Sequence, residues 1–178
     1  MLPLLMIVLC VVFRIVPHPA NFVPVGATAV FSGRTLPGWA AVWVTLVAMI
    51  VSDYALSRLH GYPLFSAVTP FVYAGFALQT FLGRRLRNRR GGAVYAAAAG
   101  SALFFLISNF GVWAAGWYGH TASGLVACYT AAIPFYGATF ASDMAWTLIL
   151  TLSYAPLSRW LSSRPGWVPL IGRTLPAV

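Results

Sequence analysis

The chain of 178 residues carries eleven arginines, no lysine and only two acids, a formal charge of +9, while 60% of its residues are hydrophobic and its mean hydropathy is +0.82. That composition leaves too little polar surface to cover a soluble globule, and several apolar runs approach the roughly 20 residues needed to span a bilayer. A basic nucleic-acid-binding protein is excluded on the same ground, because the arginines gather at the ends of the apolar runs, where the positive-inside rule accounts for them.

The first run, residues 2–13, has the length of a signal-peptide core. No basic region precedes it and no small-residue cleavage site follows, so it is expected to stay as a helix over 2–16. Pro17-His18-Pro19 stops that helix, and residues 22–33 follow as a second, short piece. At 1.5 Å per residue this piece reaches only about 18 Å, so it must be tilted, or re-entrant and covered by protein. Residues 38–57, 65–83, 92–115 and 137–157 complete the set, and residues 123–135, apolar but too short to span and ending near Pro134, read as a helix lying at the outer surface. The expectation is one all-α, polytopic membrane domain over residues 1–178 with about six transmembrane helices, five being the alternative count.

Arg84-Arg85-Leu86-Arg87-Asn88-Arg89-Arg90 is the strongest cytoplasmic signal, and Arg159, Arg164 and Arg173 supply a second, so both termini are expected inside. Threading outward from these places all three histidines, His18, His60 and His120, in outer loops together with Asn21, Tyr62, Trp117 and Tyr118. The two acids, Asp53 and Asp143, each follow a serine inside an apolar run. An ionisable group at bilayer depth costs on the order of 3 kcal/mol on insertion scales, so it is expected to face a partner, a cavity or a substrate path. The threading puts both in the outer third, with Arg14 at similar depth as a possible partner of either and Asn109 approaching from the fifth helix. It therefore points away from a proton relay at the bilayer centre and towards a polar floor of Arg14, Asp53, Asn109 and Asp143. A structural ion pair that locks helix packing is the plainer reading of the same charges. Histidines and tyrosines in such loops are, by the same plain reading, interfacial residues with a wet tip.

Cys10 and Cys128 show neither disulfide nor metal-site spacing. Cys128 reads as a small buried hydrophobe, or as a thiolate ligand for a metal-containing substrate beside His18 and His120. An intramembrane enzyme built on Cys128 lacks any recognisable base-and-orienter spacing, so no enzyme, cofactor or resident metal is expected. Gly92, Ala96 and Gly100 form a small-residue stripe that suits either packing within the chain or docking of a second membrane subunit. A weak internal echo relates Asn21-Phe22 with Ser52-Asp53 to Asn109-Phe110 with Ser142-Asp143.

The string Arg14-x-x-Pro17-His18-Pro19-x-Asn21-Phe22-x-Pro24-Val25-Gly26-Ala27, with Ser52-Asp53, Phe71-Val72-Tyr73, Ser108 to Trp113, Gly124 to Tyr129 and Ile133-Pro134-Phe135, resembles a family of small bacterial integral membrane proteins of unassigned function. Architecturally the chain is also similar to the substrate-binding S components of energy-coupling-factor (ECF) vitamin transporters. That resemblance implies six helices in the bacterial inner membrane and capture of a vitamin, corrinoid or metal chelate near the outer face. Their docking stripe lies in the first helix and here it lies in the fifth, which suits a solitary uptake protein of that fold. His18, Asn21, Tyr118, His120 and Cys128 are then the expected substrate contacts. The rival expectation is a structural or assembly subunit of a larger membrane complex.

Overall fold

The computed structural model describes residues 2–162, and every regular element among them is helical: α1 (Leu2–Ile15), α2 (Val25–Thr35), α3 (Ala40–His60), α4 (Thr69–Arg85), α5 (Gly92–Ala114) and α6 (Ala122–Ser162). Arg164 and Arg173, invoked above as cytoplasmic markers, lie outside the described residues. Helices α3, α5 and the Ala122–Ser158 part of α6 are long and apolar enough to cross a membrane, and α1 is a shorter apolar helix. The large side chains left exposed, among them Trp39, Trp43, Phe81, Tyr95 and Trp160, fit a lipid-facing surface rather than a wet one.

The short second helix is the hub. All eleven residues of α2 are buried, including Thr28, Ser32, Arg34 and Thr35, and it packs against each of the other five helices. A helix this short leaves its termini within the protein, so its polar groups need internal partners. Ser32 Oγ lies 2.9 Å from Ala29 O and 3.0 Å from Ala41 O, and Thr35 Oγ1 donates to Phe31 O at 2.8 Å. Arg34 Nη1 donates to Leu86 O at 2.9 Å, which caps the carbonyl end of α4 with a cation at the negative pole of its dipole.

Lipid is as apolar as leucine, so close packing rather than expulsion from water holds such helices together. Gly33 of α2 faces Thr80 O of α4, and Gly83 of α4 faces Val30 O of α2, each so near that a Cβ would land on the opposing carbonyl. The stripe on α5 is used in the same way: Gly92, Ala93, Ala96, Ala97, Gly100 and Ser101 are all buried, Gly92 against Leu86 and Arg34 and Gly100 against Gln79. Of the two readings of this stripe, packing within the chain is the one its surroundings match. Phe31, Met6 and Val44 form one apolar cluster, and Cys10, Val25, Met49 and Phe76 form another.

The last helix corrects the expectation for residues 123–135. They do not form a separate surface helix but run into residues 137–157 as one helix of 41 residues, with Pro134 and Pro156 inside it. A proline deletes only the one hydrogen bond its own nitrogen would donate, and membrane helices tolerate that when local hydroxyls share the load. Thr130 Oγ1 donates to Val126 O at 2.8 Å and Thr139 Oγ1 to Phe135 O at 3.1 Å on either side of Pro134. At about 62 Å, α6 is roughly twice a hydrocarbon thickness.

Candidate functional site

Helices α4 and α5 form an antiparallel hairpin whose turn, residues 86–91, carries the arginines, so the loops at 16–24, 61–68 and 115–121 gather at the opposite end of the bundle. Arg14, one residue before the end of α1, reaches α3 there. Its Nη2 lies 2.8 Å from Asp53 Oδ1, and its Nη1 donates to Ser52 Oγ at 2.5 Å and contacts Met49 Sδ at 3.2 Å. Tyr73 of α4 donates to the second carboxylate oxygen, Asp53 Oδ2, at 2.7 Å. Three helices are thus tied by one carboxylate whose two oxygens both have donors, and the pair is about four-fifths buried (18% and 19% exposed).

Asp143 meets different company. Gln79 Nε2 donates to Asp143 Oδ2 at 3.1 Å, and Asp143 Oδ1 and Gln79 Oε1 both crowd the bare Cα of Gly26. Only 4% of Asp143 is exposed, and the neighbouring Ser142 Oγ donates to Val23 O at 3.0 Å, anchoring the 16–24 loop to α6. Tyr73 and Gln79 are six residues apart on α4, about 9 Å along its axis, so different turns of that helix hold the two acids, Asp143 on the one nearer the arginine-rich turn. The sequence puts the two acids in one layer; in the structure their α4 partners lie more than one helical turn apart.

Three adjoining cavities occupy this region. One of about 360 Å³ is lined by Asn21, Ser108, Asn109, Tyr136 and Thr139; one of about 180 Å³ by Arg14, Asn21, Gly26, Met49, Thr139 and Asp143; and one of about 420 Å³ by Arg14, Asp53, Tyr62, Ser66, Tyr73 and Trp117. Asn21, Phe104 and Thr139 are shared by the first two, and Arg14, Met49 and Val72 by the second and third. Asn21 is held in the left-handed region at φ 60°, a conformation that asparagine tolerates better than other residues with a Cβ. Both asparagines of the internal echo, Asn21 and Asn109, face the 360 Å³ cavity.

Of the substrate contacts expected from the sequence, Asn21 alone lines these cavities. His18 Nδ1 is 2.7 Å from Val16 O, and His120 Nε2 is 3.1 Å from Ala114 O at the end of α5; a carbonyl only accepts, so each of these ring nitrogens donates to nearby backbone. His120 also meets Trp113 edge to face at 6.0 Å between centroids. Tyr118 lies partly exposed in the 115–121 loop. Cys128 is buried with Sγ 3.4 Å from Asn109 O, and among the described residues it joins no cluster of histidine, cysteine or acid able to hold a metal. Asn109 spends one amide hydrogen on Phe105 O at 2.7 Å and still borders the cavity.

Tyr73, Gln79, Gly26 and Thr139 were not singled out as site residues by sequence reasoning. The available signal was an isolated polar residue in an apolar helix: Gln79 is the only amide side chain of α4 and is almost wholly buried.

Residues 1–164 match the model of a family described as a family of unknown function (DUF6580), and the chain belongs to that family. No curated protein and no solved structure matches it.

Proposed function

We propose that this chain is the membrane-embedded binding component of a small-molecule uptake system, resembling an ECF S component and taking its substrate from the outer face of a bacterial inner membrane. The observation that carries the reading is the adjacency of three cavities that share Asn21 or Arg14 as wall residues at the end of the bundle away from the arginine-rich turn. Ligand sites are concave, largely apolar and furnished with a few convergent polar groups, and these cavities combine Phe104, Tyr73 and Trp117 walls with the Asn21 and Asn109 amides. The guanidinium of Arg14 is already neutralised by Asp53, which favours an uncharged or zwitterionic molecule of vitamin size. A corrinoid is too bulky for any one of these spaces. A metal chelate would need ligands that His18, His120 and Cys128 do not present to the cavities. The rival, an assembly subunit, loses its best docking surface because α2 and α4 already cover the small-residue stripe of α5.

Native purification in lipid nanodiscs followed by mass spectrometry of released small molecules tests the reading. A single compound is expected at substoichiometric or higher occupancy. Asn21→Leu is expected to lower its recovery about tenfold, the cost of one uncompensated hydrogen bond, while His120→Ala retains it. Wild-type protein that releases only lipid would overturn the proposal.

Six crossings with both termini and the 84–90 turn cytoplasmic complete the proposed topology. The two native cysteines are buried and should stay silent towards a water-soluble maleimide. A cysteine placed at Asn88 or Arg89 should therefore be labelled in inverted vesicles and not from outside intact cells; labelling from outside would invert the assignment of every loop.

A further inference from the structure

We infer that Asp143, which lines the 180 Å³ cavity, and Gln79 behind it form a binding site for one monovalent cation, either a proton or Na⁺. The carboxylate is 96% buried and, among the described residues, no arginine or histidine pairs with it. Burying such a charge alone is expensive, so it is either neutralised by protonation or matched by a cation. Gln79 is 99% buried, and its Oε1 has no hydrogen-bond partner although the same side chain spends its Nε2 on Asp143 Oδ2. That unpartnered oxygen and Asp143 Oδ1 converge on the space in front of Gly26, where a Cβ would strike both. The missing Cβ of Gly26 thus lets two acceptors converge against its Cα, with the Ser101 hydroxyl beside the carboxyl.

A single positive unit satisfies this arrangement in two ways. A proton on Oδ1 would donate to Gln79 Oε1 and, with the existing Nε2 to Oδ2 bond, close a cyclic acid–amide pair. A bare Na⁺ would instead take oxygen ligands from both side chains, with the Ser101 hydroxyl, which lies beside the carboxyl, as a third. A divalent ion is disfavoured because one carboxylate supplies half the charge it needs. The groups around the carboxyl are Gln79 from α4, Ser101 from α5 and Gly26 from α2, none ionisable, and Arg14 across the cavity, which is engaged by Asp53. The cavity that Asp143 shares with Arg14 and Asn21 supplies the path for the ion.

The site stands whether or not a substrate is transported, and its test uses none. Full-length protein in phosphatidylcholine nanodiscs is melted in NaCl and in choline chloride of equal ionic strength, at acidic and alkaline pH. If Na⁺ is the ion, the melting temperature at alkaline pH rises by about 5 °C in a hundredfold excess of Na⁺ over its half-saturating concentration. If a proton is the ion, a rise of similar size appears on acidification in choline alone. In either case Asp143→Asn removes the dependence, and Gln79→Met weakens it about tenfold in apparent affinity. Equal dependence in wild type and Asp143→Asn would overturn the proposal. Should Asp143→Asn fail to fold, infrared difference spectra of the wild type decide it, since the whole chain has only two side-chain carboxyls. A carboxyl band that responds to Na⁺ or pH and persists in Asp53→Asn supports the site, and a silent carboxyl region refutes it.

Discussion

Alanine at Gly33 or Gly83 should abolish recovery of monodisperse protein, although each change adds a single methyl group. The reason lies in what the methyl would meet. At Gly33 the new Cβ falls on Thr80 O with Arg84 N close behind, and at Gly83 it falls on Val30 O; the obstacle in both cases is backbone of the facing helix and cannot rotate away. Ordinary overpacking costs about 1–3 kcal/mol when side chains give. Here α2 must back off from α4 as a unit, and α2 touches every other helix, so a loss beyond about 3 kcal/mol is expected. Gly137→Ala supplies the contrast: it lies in α6 with open space around it, and the better helix propensity of alanine should leave stability unchanged or raise it by up to about 1 kcal/mol. Size-exclusion profiles and melting temperatures of the three variants read the difference. Wild-type behaviour of Gly33→Ala would mean that α2 is not seated on α4.

The fold was legible wherever one physical signal dominated. Apolar length located α3, α4 and α5 to within a few residues, and the Pro17-His18-Pro19 break separated α1 from α2. Too short to span, the second piece could be recognised as needing cover, and full burial of Val25–Thr35 is that cover. Its register slid from 22–33 to 25–35 because Asn21 adopts a left-handed conformation and Pro24 precedes the first turn, constraints that hydropathy does not see. Pro134 misled for a related reason. In water a mid-helix proline is a strong breaker, whereas a bilayer offers no better partners outside the helix, so α6 continues through it.

The site was legible in its charges and obscure in its neutral groups. Two acids and one arginine at bilayer depth demanded partners, and which acid took Arg14 depended on a helix-to-helix register that a single sequence does not contain. The roles of Tyr73 and Gln79 are not legible in the sequence, because each is a neutral polar residue on a largely apolar helix. His18 and His120 stand out in the sequence by position alone, and one ring nitrogen of each is engaged by a nearby backbone carbonyl, Val16 O and Ala114 O. The Gly26 contact with Asp143 spans most of the chain, so only the folded molecule reveals why that glycine sits in the Pro24-Val25-Gly26-Ala27 string.

Breaking the Arg14 and Asp53 pair should destabilise the protein far more than removing it. Arg14→Met would leave a mostly buried carboxylate with only the Tyr73 hydroxyl to solvate it, and Asp53→Asn would leave the guanidinium facing Ser52 and Met49 without a counter-charge. Losing one partner of a buried pair typically costs 3–5 kcal/mol; with about a fifth of each side chain exposed, about 3 kcal/mol is expected for each single variant. The double variant Arg14→Met, Asp53→Asn removes both charges and should lose only about 2 kcal/mol where additive effects would give about 6, a coupling of about 4 kcal/mol in a double-mutant cycle. Tyr73→Phe deletes the third member alone and should cost about 1 kcal/mol, since Arg14 and Ser52 still hold the network. Melting of the four variants in nanodiscs measures the cycle. Additive single effects would show that the pair is dispensable as a lock between α1 and α3. A double variant that is stable but releases no co-purified compound would place the charges in recognition rather than in folding.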